Sequence, residues 1–260
     1  MTVRIVSALA RPDLAERADE ATADAFPEYN QHGDVLGPRW SRLYDDYPAY
    51  QLVLWDEDTG EVLGEGNAIP CRYDGTVEGL PRGIDEVVAA GIDLGVPAGA
   101  PTALCALAIA IPAGQENRGQ SRLLLGGMRA LAAAHGWAQL IAPVRPSWKA
   151  RYPLVPIERY ATWTRGDGLP FDPWLRVHVR LGGRILRVEP ESLRISGTVA
   201  DWEGWVGMAF PETGRYVFPD GLAPLRVDRE RDVGLYHEPN VWLAHDAHLA
   251  ADRNSQPPGP

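Results

Sequence analysis

The segment from Leu107 to Gly127 concentrates residue types that could do chemistry. An apolar run leads into Ala113-Gly114-Gln115-Glu116-Asn117-Arg118-Gly119-Gln120-Ser121, and a helical pattern follows. A strand that delivers a glycine-containing loop to a helix N-terminus makes an anion cradle. The first backbone N–H groups of a helix have no intrahelical acceptor and carry the positive end of its dipole. Gly119 lets the backbone approach a ligand because it has no Cβ. Ser121 can cap the helix, and Arg118 and Arg122 add charge for a phosphate. The Gly-Lys-Ser/Thr ending of a P-loop is absent, and so is the Gly-x-Gly-x-x-Gly of a dinucleotide loop.

This loop resembles the acyl-CoA pyrophosphate loop of the GCN5-related N-acetyltransferases, whose pattern is Gln/Arg-x-x-Gly-x-Gly/Ala. Glu116 to Ser121 fits at Gly119 and at the small sixth residue; Glu116 departs from the usual Gln or Arg. In that family two alternate residues of the preceding strand pair their main chain with pantetheine, and Ile109 and Ile111 fall at those positions. A bulge in that strand commonly splays it from its neighbour, and Pro112 at the strand's end would help break the pairing. Further on, the family carries a helix reading roughly Asn-x-x-Ala-x-x-x-Tyr, whose tyrosine often protonates the departing CoA thiolate. Arg145 to Tyr152 keeps the spacing to Tyr152, with Arg145 and Trp148 in place of the Asn and Ala.

The resemblance covers roughly residues 1–165. It implies an α/β (α+β) fold with a mixed, mostly antiparallel central sheet flanked by helices. It implies acetyl-CoA or another acyl-CoA as co-substrate, no metal, and transfer of the acyl group to the amine of a small molecule. The cofactor would meet Ile109, Ile111, Glu116, Asn117, Arg118, Gly119, Gln120, Ser121 and Arg122, and Tyr152 would be the general acid. The same fold also admits decarboxylation, transfer to an acyl carrier protein, or acyl-CoA binding without turnover. Homodimers are frequent in the family.

Three further positions could serve the chemistry. Glu65, in Leu63-Gly64-Glu65-Gly66-Asn67, is a candidate general base, because flanking glycines imply a crowded or bulged strand; the alternative is a solvent-facing carboxylate. His237 lies in Tyr236-His237-Glu238, where strand alternation forbids the three acting as one triad. Lys149 is the chain's only lysine, against 24 arginines. It reads as the solvated face of a short helix, with partnership to a carboxylate or phosphate as the sharper alternative. His178 is suggestive, whereas His32, His135, His245 and His248 read as surface residues. Cys105 reads as a buried apolar residue. Trp202 and Trp205, three apart, share a helix face.

The elements that must hold these residues follow from periodicity. Strands are expected at Val3–Leu9, Gln51–Trp55, Val62–Cys71, Thr102–Ile111 and Trp137–Val144, with Asp58-Thr59-Gly60 turning the hairpin. Helices are expected at Pro12–Ala25, Pro38–Tyr47, Ile84–Ala90 and Ser121–His135. Beyond residue 165 the texture is β-rich. Trp174–Leu181 alternates like a half-buried strand, Glu189-Pro190-Glu191-Ser192 looks like a turn between short strands, and Val199–Met208 looks helical. Residues 166–250 are expected to pack on 1–165 as an extension, and 251–260 to be a disordered tail.

Composition bounds the rest. The chain has 260 residues, 25 Lys+Arg against 35 Asp+Glu, and a net charge of −10. An acidic chain lacks the clustered cations that nucleic acid requires. No apolar run approaches the ~18–20 residues that span a bilayer. Two cysteines, Cys71 and Cys105, cannot form a disulfide framework or a Cys-rich zinc site. No secretory signal is evident, so the expected setting is cytoplasmic. The scarcity of lysine beside abundant Arg, Ala, Gly and Pro points to a GC-rich, bacterial genome.

Overall fold

The computed structural model describes residues 2–93, 95, 100–115 and 118–248. Its elements are β1 (Val3–Ser7), α1 (Pro12–Thr22), α2 (Arg42–Asp46), β2 (Gln51–Asp56), β3 (Val62–Cys71), α3 (Ile84–Asp93), β4 (Ala103–Ala110), α4 (Gln120–Ala134), β5 (Gln139–Val144), α5 (Ile157–Tyr160), α6 (Pro173–Arg180), β6 (Arg184–Gly197), α7 (Val199–Val206), β7 (Gly214–Tyr216), β8 (Leu225–Asp228) and β9 (Val233–Asp246). Glu116, Asn117 and the tail 251–260 lie outside the described residues.

One nine-stranded sheet runs in the order β1-β2-β3-β4-β5-β9-β8-β7, and β6 pairs with β9. Among the described residues only β4 and β5 are parallel; every other strand pairing is antiparallel. The mixed, mostly antiparallel sheet flanked by helices is therefore present. Helix α4 buries Leu124, Leu125, Met128, Leu131 and Ala132 against one face of it. That close approach explains Gly66, where a Cβ would sit 2.6 Å from Met128; on Gly64 a Cβ would sit 2.7 Å from Ile111, beyond the end of β4, and 3.3 Å from Leu124. The other face carries α3 and α7, with Ile69, Cys105, Ile141, Trp202 and Trp242 in its core. Trp202 and Trp205 share the helix face as expected, and both are structural. Trp202 is core, and Trp205 stacks on His32 at 4.2 Å.

Several expectations beyond residue 165 are corrected. Trp174–Leu181 is not a strand but helix α6. Asp172 accepts from the backbone N–H groups of Trp174 and Leu175, and Pro173 occupies the first turn. Those two start signals outweigh an alternation only eight residues long. The apparent turn at Glu189-Pro190-Glu191-Ser192 is a bulge within one long strand: the register passes from Glu189 opposite Asn240 to Leu193 opposite Glu238. Strand β9 runs unbroken for 14 residues, Val233–Asp246. Pro38–Tyr47 breaks into a 3₁₀ turn at Gly37–Arg39 and the short α2.

Candidate active site

The centre of the sheet is split. Strand β4 pairs with β5 only over Ala103, Leu104 and Cys105, opposite Gln139, Leu140 and Ile141. Beyond that, β4 continues along β3 to Ala110, while β5 continues along β9 to Val144. The cause lies in the β3–β4 ladder. Asn67 faces Ala108 but Ala68 faces Ala106, which leaves Leu107 as an extra residue in β4. A bulge adds twist and bends its strand away from a neighbour. A cleft opens between Ala106–Ala110 and Ala142–Val144, and Ala108 and Ile109 are partly exposed in mid-sheet. Past Cys105 the β5-facing side of β4 has no strand partner, so the main chain at Ile109 is available to a ligand's amide groups.

The loop after β4 delivers the cradle. Gly119 stands before α4 with φ +91°, a left-handed conformation that favours glycine. Gly119, not Ser121, is the N-cap; Ser121 lies inside the first turn, and no side chain caps this helix. Arg122 and Leu123 donate backward to the Gly119 carbonyl. Among the described residues no hydrogen bond takes up the N–H groups of Gly119, Gln120 or Ser121. Arg118 is exposed and reaches only the Gly114 carbonyl, at 3.4 Å. Open donors, a dipole end and the exposed Arg118 guanidinium converge here, an arrangement that suits an anion.

Glu65 faces away from α4, on the side that Ala108 and Ala110 share. It is 6% exposed, so it is not a solvent-facing carboxylate. Thr22 Oγ1 donates to its Oε1 and the Tyr44 hydroxyl to its Oε2, each at 2.9 Å. Burial pushes its carboxyl above the usual range, against those two hydrogen bonds. Asn67, two residues on, donates to the Tyr44 hydroxyl at 2.8 Å and keeps its own Oδ1 buried without a partner. Tyr44 and Asn67 belong to this constellation and carried no signal in the sequence, because only the register places them beside Glu65.

Tyr152 is half-buried in an aromatic box. Trp163 meets it edge-on at 5.1 Å, and Phe171 and Tyr160 lie at 5.9 and 6.0 Å. Among the described residues its hydroxyl has no hydrogen-bond partner, and its carbonyl accepts from Lys149 Nζ at 2.9 Å. Lys149 is therefore not on a solvated face: it is 1% exposed, and burial pulls its amine down to about 8. His237 lies on the opposite face of β9 from Tyr236 and Glu238, near Glu191 at 3.6 Å. No contact joins it to Glu65 or Tyr152.

A further cluster follows β5 directly. Arg145 Nε donates to Glu238 Oε1 at 3.1 Å, and its terminal nitrogen donates to the Tyr29 hydroxyl and the Asp220 carbonyl at 2.9 Å. Burial opposes the guanidinium's charge, but Glu238, Tyr29 and Tyr236 together outweigh it and hold Arg145 above its ordinary value. His245 is buried rather than on the surface, with its Nε2 2.9 Å from His178 Nδ1. Cys105 is fully buried, and burial pushes the Cys71 thiol up to about 12, so neither is a ready nucleophile. Among the described residues no three of His, Cys, Asp and Glu gather as a metal site, and no helix is long and apolar enough to cross a membrane.

This architecture has known counterparts. The loading GNATL domain of CurA from Lyngbya majuscula superposes with a TM-score of 0.58 at 17% identity, covering 96% of this chain and 98% of that one. The GphF GNAT-like decarboxylase, solved with isobutyryl-CoA, gives 0.56 at 19% identity, covering 95% and 100%. The splayed strands and this likeness are those of the GCN5-related N-acetyltransferase fold. No protein-family model matches it. In sequence it is similar to the arginine N-acetyltransferase avaD of Aspergillus versicolor, 29% identical over 274 aligned positions that cover 93% of each protein.

Proposed function

We propose that the chain moves an acetyl or other acyl group from acyl-CoA to the amine of a small molecule by direct transfer. The observation that carries this reading is the split between β4 and β5, opening beside the uncapped N-terminus of α4. Pantetheine would enter the split along Ile109 and Ile111. The pyrophosphate would rest on the N–H groups of Gly119, Gln120 and Ser121, with Arg118 and Arg122 adding charge. Holding two substrates in line supplies about 7–11 kcal/mol of barrier reduction before any proton moves.

Glu65 takes the proton from the attacking amine, a role suited to a carboxyl whose affinity for protons burial has raised. Nitrogen attacks the thioester carbonyl, the C–S bond breaks, and the thiolate takes the Tyr152 phenol proton. The name of the fungal relative makes arginine the first acceptor to assay. Purified protein is expected to bind acetyl-CoA in calorimetry and to form an acetylated amine detectable by mass spectrometry. Gly119→Val should weaken binding, because a branched side chain at φ +91° is strained and shields the cradle. Unchanged binding would sink the assignment. Parallel runs with malonyl-CoA separate decarboxylation and carrier-protein transfer from amine acylation.

A further inference from the structure

Lys149 is a buried cation without a counter-charge. Its ammonium spends two N–H groups on neutral carbonyls, those of Tyr152 at 2.9 Å and Leu222 at 2.5 Å. An ammonium has a third. Nζ also lies 5.8 Å from the centre of the Tyr160 ring. Among the described residues no carboxylate comes within ion-pair distance. A buried charge left unpaired is costly, and evolution usually supplies a partner or neutralises the group.

The same lysine lines a cavity of about 510 Å³ between the 153–158 segment and the β7–β8 region. Its walls are mostly apolar, with Pro153, Leu154, Val217, Ala223, Pro224 and Pro239 among them. Glu158 and Arg215 also line it, one of each sign, so Lys149 decides the sign of the interior. An apolar pocket with one convergent charged group is the usual form of a small-molecule site. The pocket touches the proposed chemistry through one bond, from Lys149 Nζ to the carbonyl of Tyr152.

We propose that this cavity is a substrate subsite in which Lys149 binds a carboxylate carried by one of the two substrates, so that the enzyme selects carboxylate-bearing co-substrates over those of the same skeleton without one. The inference rests on the acyl-transfer reading and names its substrate class. At neutral pH the amine is still mostly protonated, since burial leaves it at about 8, and a carboxylate would complete its third hydrogen bond.

The test is a ratio of kcat/KM values, in which general losses of activity cancel. In one arm, arginine is compared with its decarboxylated amine at fixed acetyl-CoA. In the other, succinyl-CoA is compared with acetyl-CoA at a fixed acceptor. Lys149→Met is expected to lower the preference for the carboxylate-bearing partner about 10- to 100-fold in one arm, which also identifies the source. Val217→Asp, at a position 46% exposed and so without consequence for folding, should lower the same ratio, and Val217→Lys should raise it. Ratios unmoved in both arms by Val217→Asp, and by Lys149→Met where it folds, overturn the proposal while leaving acyl transfer standing. If no amine is acylated at all, the functional reading fails. Calorimetric affinities for succinyl-CoA, arginine and N-acetylarginine, each against its counterpart without the carboxylate, then read the subsite, and the same unmoved ratios overturn it.

Discussion

Replacing Glu238 by methionine tests whether Arg145 and Glu238 act as one unit. The Glu238 side chain is 3% exposed and that of Arg145 21%. Glu238 accepts from Arg145 Nε at 3.1 Å, Asn30 Nδ2 at 3.1 Å and the Tyr236 hydroxyl at 3.4 Å. Without it, the guanidinium keeps only the Tyr29 hydroxyl and the Asp220 carbonyl, and Asn30 loses its acceptor. Removing one side of a buried pair costs about 3–5 kcal/mol. For a chain of this size 1 kcal/mol moves Tm by roughly 2–4 °C, so Tm should fall by about 6–20 °C. Arg145→Met should cost somewhat less, because Asn30 still partners the orphaned carboxylate. Both variants remove the same interaction. The double variant should therefore cost less than the two losses added, by about 0.5–3 kcal/mol. Urea and thermal unfolding of the four proteins close the cycle. Strict additivity would refute the idea that the two charges stabilise each other.

Further outcomes are open to measurement. Tyr152→Phe should lower kcat about 100-fold, near the low end for loss of a general acid, with KM little changed; equal losses in both would assign the ring a packing role alone. Glu65→Gln should lower kcat about 10²- to 10⁴-fold. It should also abolish a loss of activity at acid pH, because a carboxyl raised by burial is protonated, and inert as a base, below its displaced pKa. The His178–His245 pair should make stability depend on pH. Burial lowers both, His245 to about 4, so the unfolded chain takes up protons from about 6.5 downward while the fold does not. Stability present above that range is lost as pH falls toward 4. Asp85, pushed up to about 6 by burial, works in the opposite sense. The comparison that decides is therefore wild type against His178→Leu/His245→Leu, and equal pH slopes would count against the pair.

Local signals were legible where chemistry and periodicity coincide. The β4–loop–α4 unit could be read because its apolar run, its glycine and its helical pattern are contiguous. So could the hairpin of β2 and β3, with Asp58-Thr59-Gly60 between them. What could not be read depends on register. Only pairing across β3 and β4 shows that Leu107 is the extra residue that opens the cleft, or that Asn67 and Tyr44 surround Glu65. Lys149 looked exposed because a lone lysine in a short turn usually is. It is buried by Leu222, a residue 73 positions away. The alternation of Trp174–Leu181 misled because a short amphipathic helix can mimic it. The Asp172-Pro173 pair just before it held the correction. The bulge in β6 reads as a turn in the sequence because its Pro190 breaks the run without ending the strand.

Strand β9 has a consequence for how the protein comes into being. It lies between β5 and β8 and also pairs with β6, yet among the described strands it is the last to be made. From Val144 to Val233 the ribosome must add about 90 residues before β5 has a neighbour on that side. At roughly 5–20 residues per second this takes about 4–18 s. During that time the β9-facing side of β5 is a bare, apolar edge, the kind of surface that pairs with other chains. The nascent chain's greatest exposure to aggregation, and its greatest need of chaperone cover, falls in the interval between synthesis of β5 and arrival of the strand that covers its edge.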